Sequence, residues 1–127
     1  MDKNIRNLIL LVAVVLLITG SAFYFLWAQG NAPGKYDSFA QCLKTKGLEF
    51  YGAFWCPHCQ NQKALFGNSE KYLPYVECST PDSNGQLQVC INKKIEVYPT
   101  WIFPDGSKNE GEMTFQELAD KSGCALP

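Results

Sequence analysis

The sequence predicts an α/β domain, a central mixed sheet flanked by helices, preceded by one N-terminal transmembrane helix. Three observations lead there. Apolar runs of strand length alternate with amphipathic stretches through most of the region after residue 34. The pentapeptide Trp55-Cys56-Pro57-His58-Cys59 sits where one such run gives way to a helical stretch. Leu8 to Ala28 contains no charged residue and is rich in Leu, Val, Ile and aromatics.

As a helix, residues 8–28 would be ~31 Å long, matching the hydrocarbon core of a bilayer. Lys3 and Arg6 precede it. Positive charge stays in the cytoplasm, so residues 1–7 are expected there and the remainder outside. A cleaved signal peptide is the competing reading, with an apolar run to Ile18 and a small-residue site at Gly20-Ser21-Ala22. The apolar character continues through Phe23-Tyr24-Phe25-Leu26-Trp27, whose aromatics suit a membrane interface and favour a retained signal anchor. Both readings export the domain, and the anchored one makes it a single-pass cell-membrane protein with its domain on the extracytoplasmic, periplasmic side. Residues 29–33 read as a linker and residues 34–127 as the folded domain.

Within that domain, Ser38 and Gln41 have capping-box spacing and predict a helix to about Lys46. Leu48 to Phe54 is a β-like run with few polar residues, expected as a central strand. Pro57 then suits a first helical turn, and the helix should run to about Gly67 and resume near Ser69–Tyr72. Tyr75 to Cys78 is a second strand. Ser83 and Gln86 suggest a third helix by capping logic, with Leu87, Cys90 and Ile91 at helical spacing. Thr100 to Phe103 is a third strand, Pro104 to Ser107 a turn, and Lys108 to Glu110 a short edge strand. Thr114 and Glu117 cap a last helix to about Lys121. Phe39, Phe66, Tyr72, Phe103 and Phe115 are expected in the core.

Nine lysines face eleven carboxylates in the domain, which has no arginine. That mixed, weakly acidic surface argues against nucleic acid as a partner.

The chemistry concentrates in the pentapeptide. Cysteines two residues apart close a small ring. A Cys56 at a helix start has its thiolate favoured by unpaired backbone N–H groups and the helix dipole. His58 can donate to that thiolate or, when protonated, favour it electrostatically. Such a pair exchanges disulfides, with Cys56 as the attacked and leaving sulfur. The redox-active disulfide itself then serves, and neither a cofactor nor a metal is expected. Trp55 is either a wall of the reactive surface or core packing.

All six cysteines lie in the exported part, which fits an oxidising compartment. With Cys56 and Cys59 set aside, three arrangements of the other four remain. We favour Cys78–Cys90 as a local clip and Cys42–Cys124 as a tie between the first and last helices of the domain, both structural; a relay disulfide feeding Cys56–Cys59 is the alternative. A zinc site built from Cys56, Cys59, Cys78 and Cys90 is disfavoured by the long gap between the latter two and by Pro57. Covalent haem fails because position 60 is Gln. A purely structural Cys56–Cys59 bridge stays open.

With this element order and Cys56-Pro57-His58-Cys59 at the first strand-to-helix junction, the domain resembles the thioredoxin superfamily. Tyr98-Pro99-Thr100 is a second match: the resemblance implies a cis-proline at Pro99 facing the cysteines, with Tyr98 and Thr100 beside it as substrate-binding positions. A groove of this kind offers backbone groups to a substrate chain. The Pro-His dipeptide is similar to that of DsbA-type disulfide donors. Tyr51 to Cys59, Tyr75 to Cys78 and Tyr98 to Trp101 further resemble the thioredoxin-like domain fused to bacterial vitamin K epoxide reductase homologues, over nearly all of residues 36–123. That likeness implies an oxidase of exported cysteine-containing proteins, reoxidised by a quinone-linked membrane enzyme that here would be a separate polypeptide. A tethered reductase or isomerase, and a non-catalytic binding module, are the alternatives. One departure stands out. Phe50 occupies the place where many thioredoxins bury a carboxylate, and Glu49, one position away on a strand, points to the other face. The group that handles the proton of Cys59 is therefore not evident.

Overall fold

The computed structural model describes residues 2–127, which divide into an N-terminal unit ending at Ala32 and a domain from Pro33 to Pro127. The first unit is a helix, α1 (Lys3–Gly30), long and apolar enough to cross a membrane. None of its side chains is buried by protein. Hydroxyls of Thr19 and Ser21 donate back to the carbonyls of Val15 and Ile18, so these two hydroxyls are satisfied within the helix, as an apolar surrounding requires.

The domain runs α2 (Asp37–Thr45), β1 (Glu49–Gly52), α3 (Pro57–Phe66), a 3-10 turn (Gly67–Tyr72), β2 (Tyr75–Glu77), α4 (Gln88–Asn92), β3 (Thr100–Ile102), β4 (Lys108–Glu110) and α5 (Phe115–Ser122). The sheet order is β2-β1-β3-β4. β1 pairs parallel with β2 through Tyr51↔Val76 and antiparallel with β3 through Phe50↔Trp101. β3 and β4 form an antiparallel hairpin. The crossover β1-α3-β2 and the hairpin give the mixed sheet.

Strand alternation sends neighbouring residues to opposite faces. Phe50 and Trp101 stack, centroids 4.6 Å apart, against a cluster built from Phe39, Ala40 and Leu43 of α2, Phe66 of α3 and Leu118 of α5. Tyr51 and Ile102 face the other way, into a smaller cluster with Cys78, Cys90 and Ile95 beneath α4. Helices thus cover both faces, and the domain has a thioredoxin-like fold. Phe39, Phe66 and Phe103 are buried as expected, and Tyr72 and Phe115 pack half-buried against the same cluster.

Two helix starts differ from the sequence reading. α2 begins at Asp37 with Tyr36 as an uncapped N-cap, not in a Ser38–Gln41 box. The Asp37 carboxylate accepts from Gly34 N–H, and the Tyr36 N–H donates to Ser69 Oγ. These two contacts fix the chain entry two residues early. The third helix does not begin at Ser83. That residue has φ 61°, inside a turn in which Asp82 accepts from Thr80 Oγ1 and the Asn84 N–H. The Gln86 amide donates to the Ile95 carbonyl and the Tyr98 hydroxyl, each at 2.7 Å. Local side-chain bonds and one tertiary tether therefore hold these residues out of the helix, which shrinks to Gln88–Asn92. The last helix starts with the full capping box, Thr114 with Glu117.

Candidate active site

β1 delivers the chain into the junction Ala53-Phe54-Trp55 and α3 begins at Pro57, leaving Cys56 as its N-cap with extended backbone, φ −78° and ψ 120°. Cys56 Sγ accepts from the Cys59 N–H at 3.4 Å. The sulfur therefore occupies the position an N-cap oxygen would take, against the positive end of α3. Pro57 at the first helical position lacks only an N–H that the helix does not use. Cys56 and Cys59 are both free thiols and both buried, Cys56 5% exposed and Cys59 1%.

Across from them, Tyr98-Pro99 is a cis peptide. The Cys56 thiol lies 3.7 Å from the Tyr98 carbonyl oxygen, to which it donates. The Pro99 carbonyl accepts from the Gly111 N–H at 2.7 Å, and Gly111 has φ 99°, a left-handed conformation that glycine adopts without strain. The next two residues continue the same contact line: Glu112 reaches His58, and the Met113 N–H donates to Gln62 Oε1 at 2.6 Å while the Gln62 amide donates to the Met113 carbonyl. Three consecutive residues after β4 thus bind the Pro99 loop and helix α3 together. Gln62, fully buried, also accepts from Trp101 Nε1, so every polar group in this junction has a partner.

Trp55 is a wall of the surface, not core: it is 48% exposed, with Nε1 donating to Ser79 Oγ at 2.8 Å and its ring edge-on to Tyr98. Phe54 beside it is also exposed. Thr100 is buried and its hydroxyl donates to the Val97 carbonyl, which places its side chain behind the loop. His58 is exposed, its Nδ1 2.7 Å from Glu112 Oε1, and Asn61 Nδ2 donates to the same oxygen at 3.4 Å. Glu112 was missed by sequence reasoning, and no local pattern announces it. Burial, then the hydrogen bond shared with Cys56, pushes the Cys59 thiol up to about 12, although a backbone contact from Ala53 and the charge of Lys63 act the other way. Cys59 therefore favours the protonated thiol, while the Cys56 sulfur faces the Tyr98 carbonyl.

The remaining cysteines form two disulfides, Cys42–Cys124 across 82 positions, joining α2 to the end of α5, and Cys78–Cys90 across 12. Cys78 and Cys90 are fully buried. Glu49 points off the site, accepting from Lys93 at 2.8 Å and from the Tyr51 hydroxyl.

No family model matches the chain. Over 94 residues, 70% of its length, it is 42% identical to the Thiol-disulfide oxidoreductase LTO1 of Arabidopsis thaliana, of which it covers 24%. Over 97 residues, 65% of its length, it is 29% identical to the Thioredoxin domain-containing protein 5 homolog of Drosophila melanogaster, covering 22% of that protein. The chain spans about a quarter of the length of these curated relatives. By its sheet order, its free cysteine pair at a helix start and these two likenesses, the domain is thioredoxin-like.

Proposed function

We propose that this protein is a membrane-anchored thiol–disulfide oxidoreductase working outside the cytoplasm, and that it acts as an oxidase, passing a Cys56–Cys59 disulfide to exported proteins. The observation that carries this reading is the Cys56 sulfur, free, capping α3 and lined up against the Tyr98 carbonyl before cis-Pro99. An extended substrate chain laid along that loop would bring its own sulfur to Cys56. The likeness to a protein named thiol-disulfide oxidoreductase supports the class of chemistry. The apolar α1 supports the tether.

In the forward reaction a substrate thiolate bonds to Cys56 Sγ and displaces Cys59 Sγ. A second substrate thiolate then attacks the substrate sulfur of this mixed disulfide and expels Cys56. The substrate loses two electrons and two protons, and the protein becomes the dithiol. Groups that favour the Cys56 thiolate favour the reduced form and make the pair oxidising toward others. Reoxidation by a separate quinone-linked membrane enzyme of the vitamin K epoxide reductase type would close the cycle, and the resemblance over residues 36–123 is what suggests it.

Two measurements test the proposal. Acid-quench alkylation in cells should find Cys56–Cys59 mainly disulfide-bonded; a pair held reduced overturns the oxidase direction and favours a reductase or isomerase. A Cys59→Ala variant should accumulate mixed disulfides through Cys56 with exported proteins and with the membrane oxidant. A variant that traps nothing overturns the enzymatic reading in favour of a binding module.

A further inference from the structure

The displaced sulfur of Cys59 is the buried partner, and the fold supplies a cation for it. Cys59 Sγ lies against the backbone of Gly52: a Cβ at that residue would sit 2.8 Å from the sulfur and 3.0 Å from Cε2 of Tyr75. The sulfur and the Tyr75 ring therefore share the space left by one absent side chain. Lys63, one helical turn beyond Cys59 on α3, lies on the same face. It is half-buried, and its Nζ stands 3.4 Å from the centroid of the Tyr75 ring, a cation–π contact that holds the ammonium over the ring adjoining the sulfur.

The other charged group nearby is turned away. Glu77 accepts from the Tyr75 hydroxyl at 2.7 Å and from the backbone N–H groups of Phe54, Cys78 and Ser79. Burial, then this bond to Glu77, raises Tyr75 far above an ordinary phenol, so the ring that separates Lys63 from Glu77 stays neutral. Cys59 is thus faced by the Cys56 sulfur, the neutral Tyr75 and the ammonium of Lys63. Of these, Lys63 favours a negative sulfur.

We propose that Lys63 is a positioning residue for the redox step, holding a positive charge beside Cys59 whenever its sulfur leaves or attacks as a thiolate. This rests on the thiol–disulfide reading above. When a substrate sulfur bonds to Cys56, the electron pair of the Cys56–Cys59 bond passes to Cys59, which then takes up a proton from solvent equal to the one lost by the substrate thiol. In the reverse direction Cys59 gives up that proton, attacks the Cys56 sulfur and expels the partner thiolate. Both steps place transient charge in a buried site, where a nearby cation acts with little screening.

The test uses the reduced full-length protein in detergent micelles with glutathione disulfide as oxidant. Cys56 attacks it, releasing one glutathione, and Cys59 closes the ring, releasing the second. Quenched samples followed by mass spectrometry give the closing rate. Lys63→Met should slow closing about tenfold at pH 7 and move its pH profile up by about one unit. Lys63→Arg should restore the rate, and alkylation of Cys56 by iodoacetamide in a Cys59→Ala background should be the same with and without Lys63→Met. Closing at the wild-type rate in Lys63→Met overturns the inference. So does equal slowing in Lys63→Arg, which would mark packing and not charge, or an equal change in Cys56 alkylation. A wild-type protein that forms no mixed disulfide at all overturns the thiol–disulfide reading itself, and this inference with it.

Discussion

The imidazole Nδ1 of His58 lies 2.7 Å from a carboxylate oxygen of Glu112, 54 positions further along the chain. The residue between the two cysteines is thereby tied to the loop that also holds the Pro99 carbonyl, through Gly111. The ring is exposed, so the contact is a surface pair, worth less than about 1 kcal/mol to stability. Its effect falls on the charge beside Cys56.

Glu112→Gln removes one negative charge from that neighbourhood and leaves the fold intact. The dithiol should then be more populated at equilibrium with a glutathione buffer. Quantifying reduced and oxidised protein across a series of glutathione ratios checks this. An unchanged equilibrium would mean that Glu112 only orients the ring.

Gly52→Ala places a methyl 2.8 Å from Cys59 Sγ and 3.3 Å from its Cβ. Overpacking at this fully buried spot should cost about 1–3 kcal/mol, read as a lower denaturant midpoint with unchanged slope. The same variant should close its Cys56–Cys59 ring more slowly, because the displaced sulfur loses its approach.

Opening the long bridge with Cys42→Ala and Cys124→Ala should cost about 2–4 kcal/mol, since the loop it closes is long. Cys78–Cys90 should resist reductant under conditions that fully reduce Cys56–Cys59, because both of its sulfurs are shielded. Timed alkylation with peptide mapping separates the three pairs. Early loss of Cys78–Cys90 would point to a relay.

The hydrogen bond from Lys93, opposed by burial and aided by the Tyr51 hydroxyl, holds the Glu49 carboxyl below its ordinary value of 4.5. A depressed folded value means stability that is present above the unfolded value and lost as pH falls through the folded one. Glu49→Gln should therefore be less stable than wild type at pH 7, with the difference vanishing in acid. Exposure makes the effect modest; a pH series of urea midpoints reads it.

Where structure follows from neighbouring residues, the sequence was readable. Thr114 and Glu117 are three apart and form the capping box their spacing announces. Phe50 and Trp101 lie on the apolar runs expected as strands, and both are buried along with most of their strand neighbours. Ser83 and Gln86 carry the same capping signal and fail, because Gln86 bonds to Ile95 and Tyr98, contacts that no window of sequence contains. Gln62 carries no local signal of burial, yet it is fully buried at the junction of α3, Trp101 and Met113. Lys63 stands one helical turn from Cys59 on α3. Its meaning needed Tyr75 to be set beneath it.

One atom at the head of α3 serves two masters. The sulfur of Cys56 closes off the first turn of the helix, and in the proposed exchange it is also the sulfur that bonds to a partner. Each time it is drawn into a bond outside the helix, that turn loses its terminator, and each time it is released, the turn regains one. In that proposed exchange secondary structure and electron transfer would be coupled, with an intact helix start favouring the dithiol.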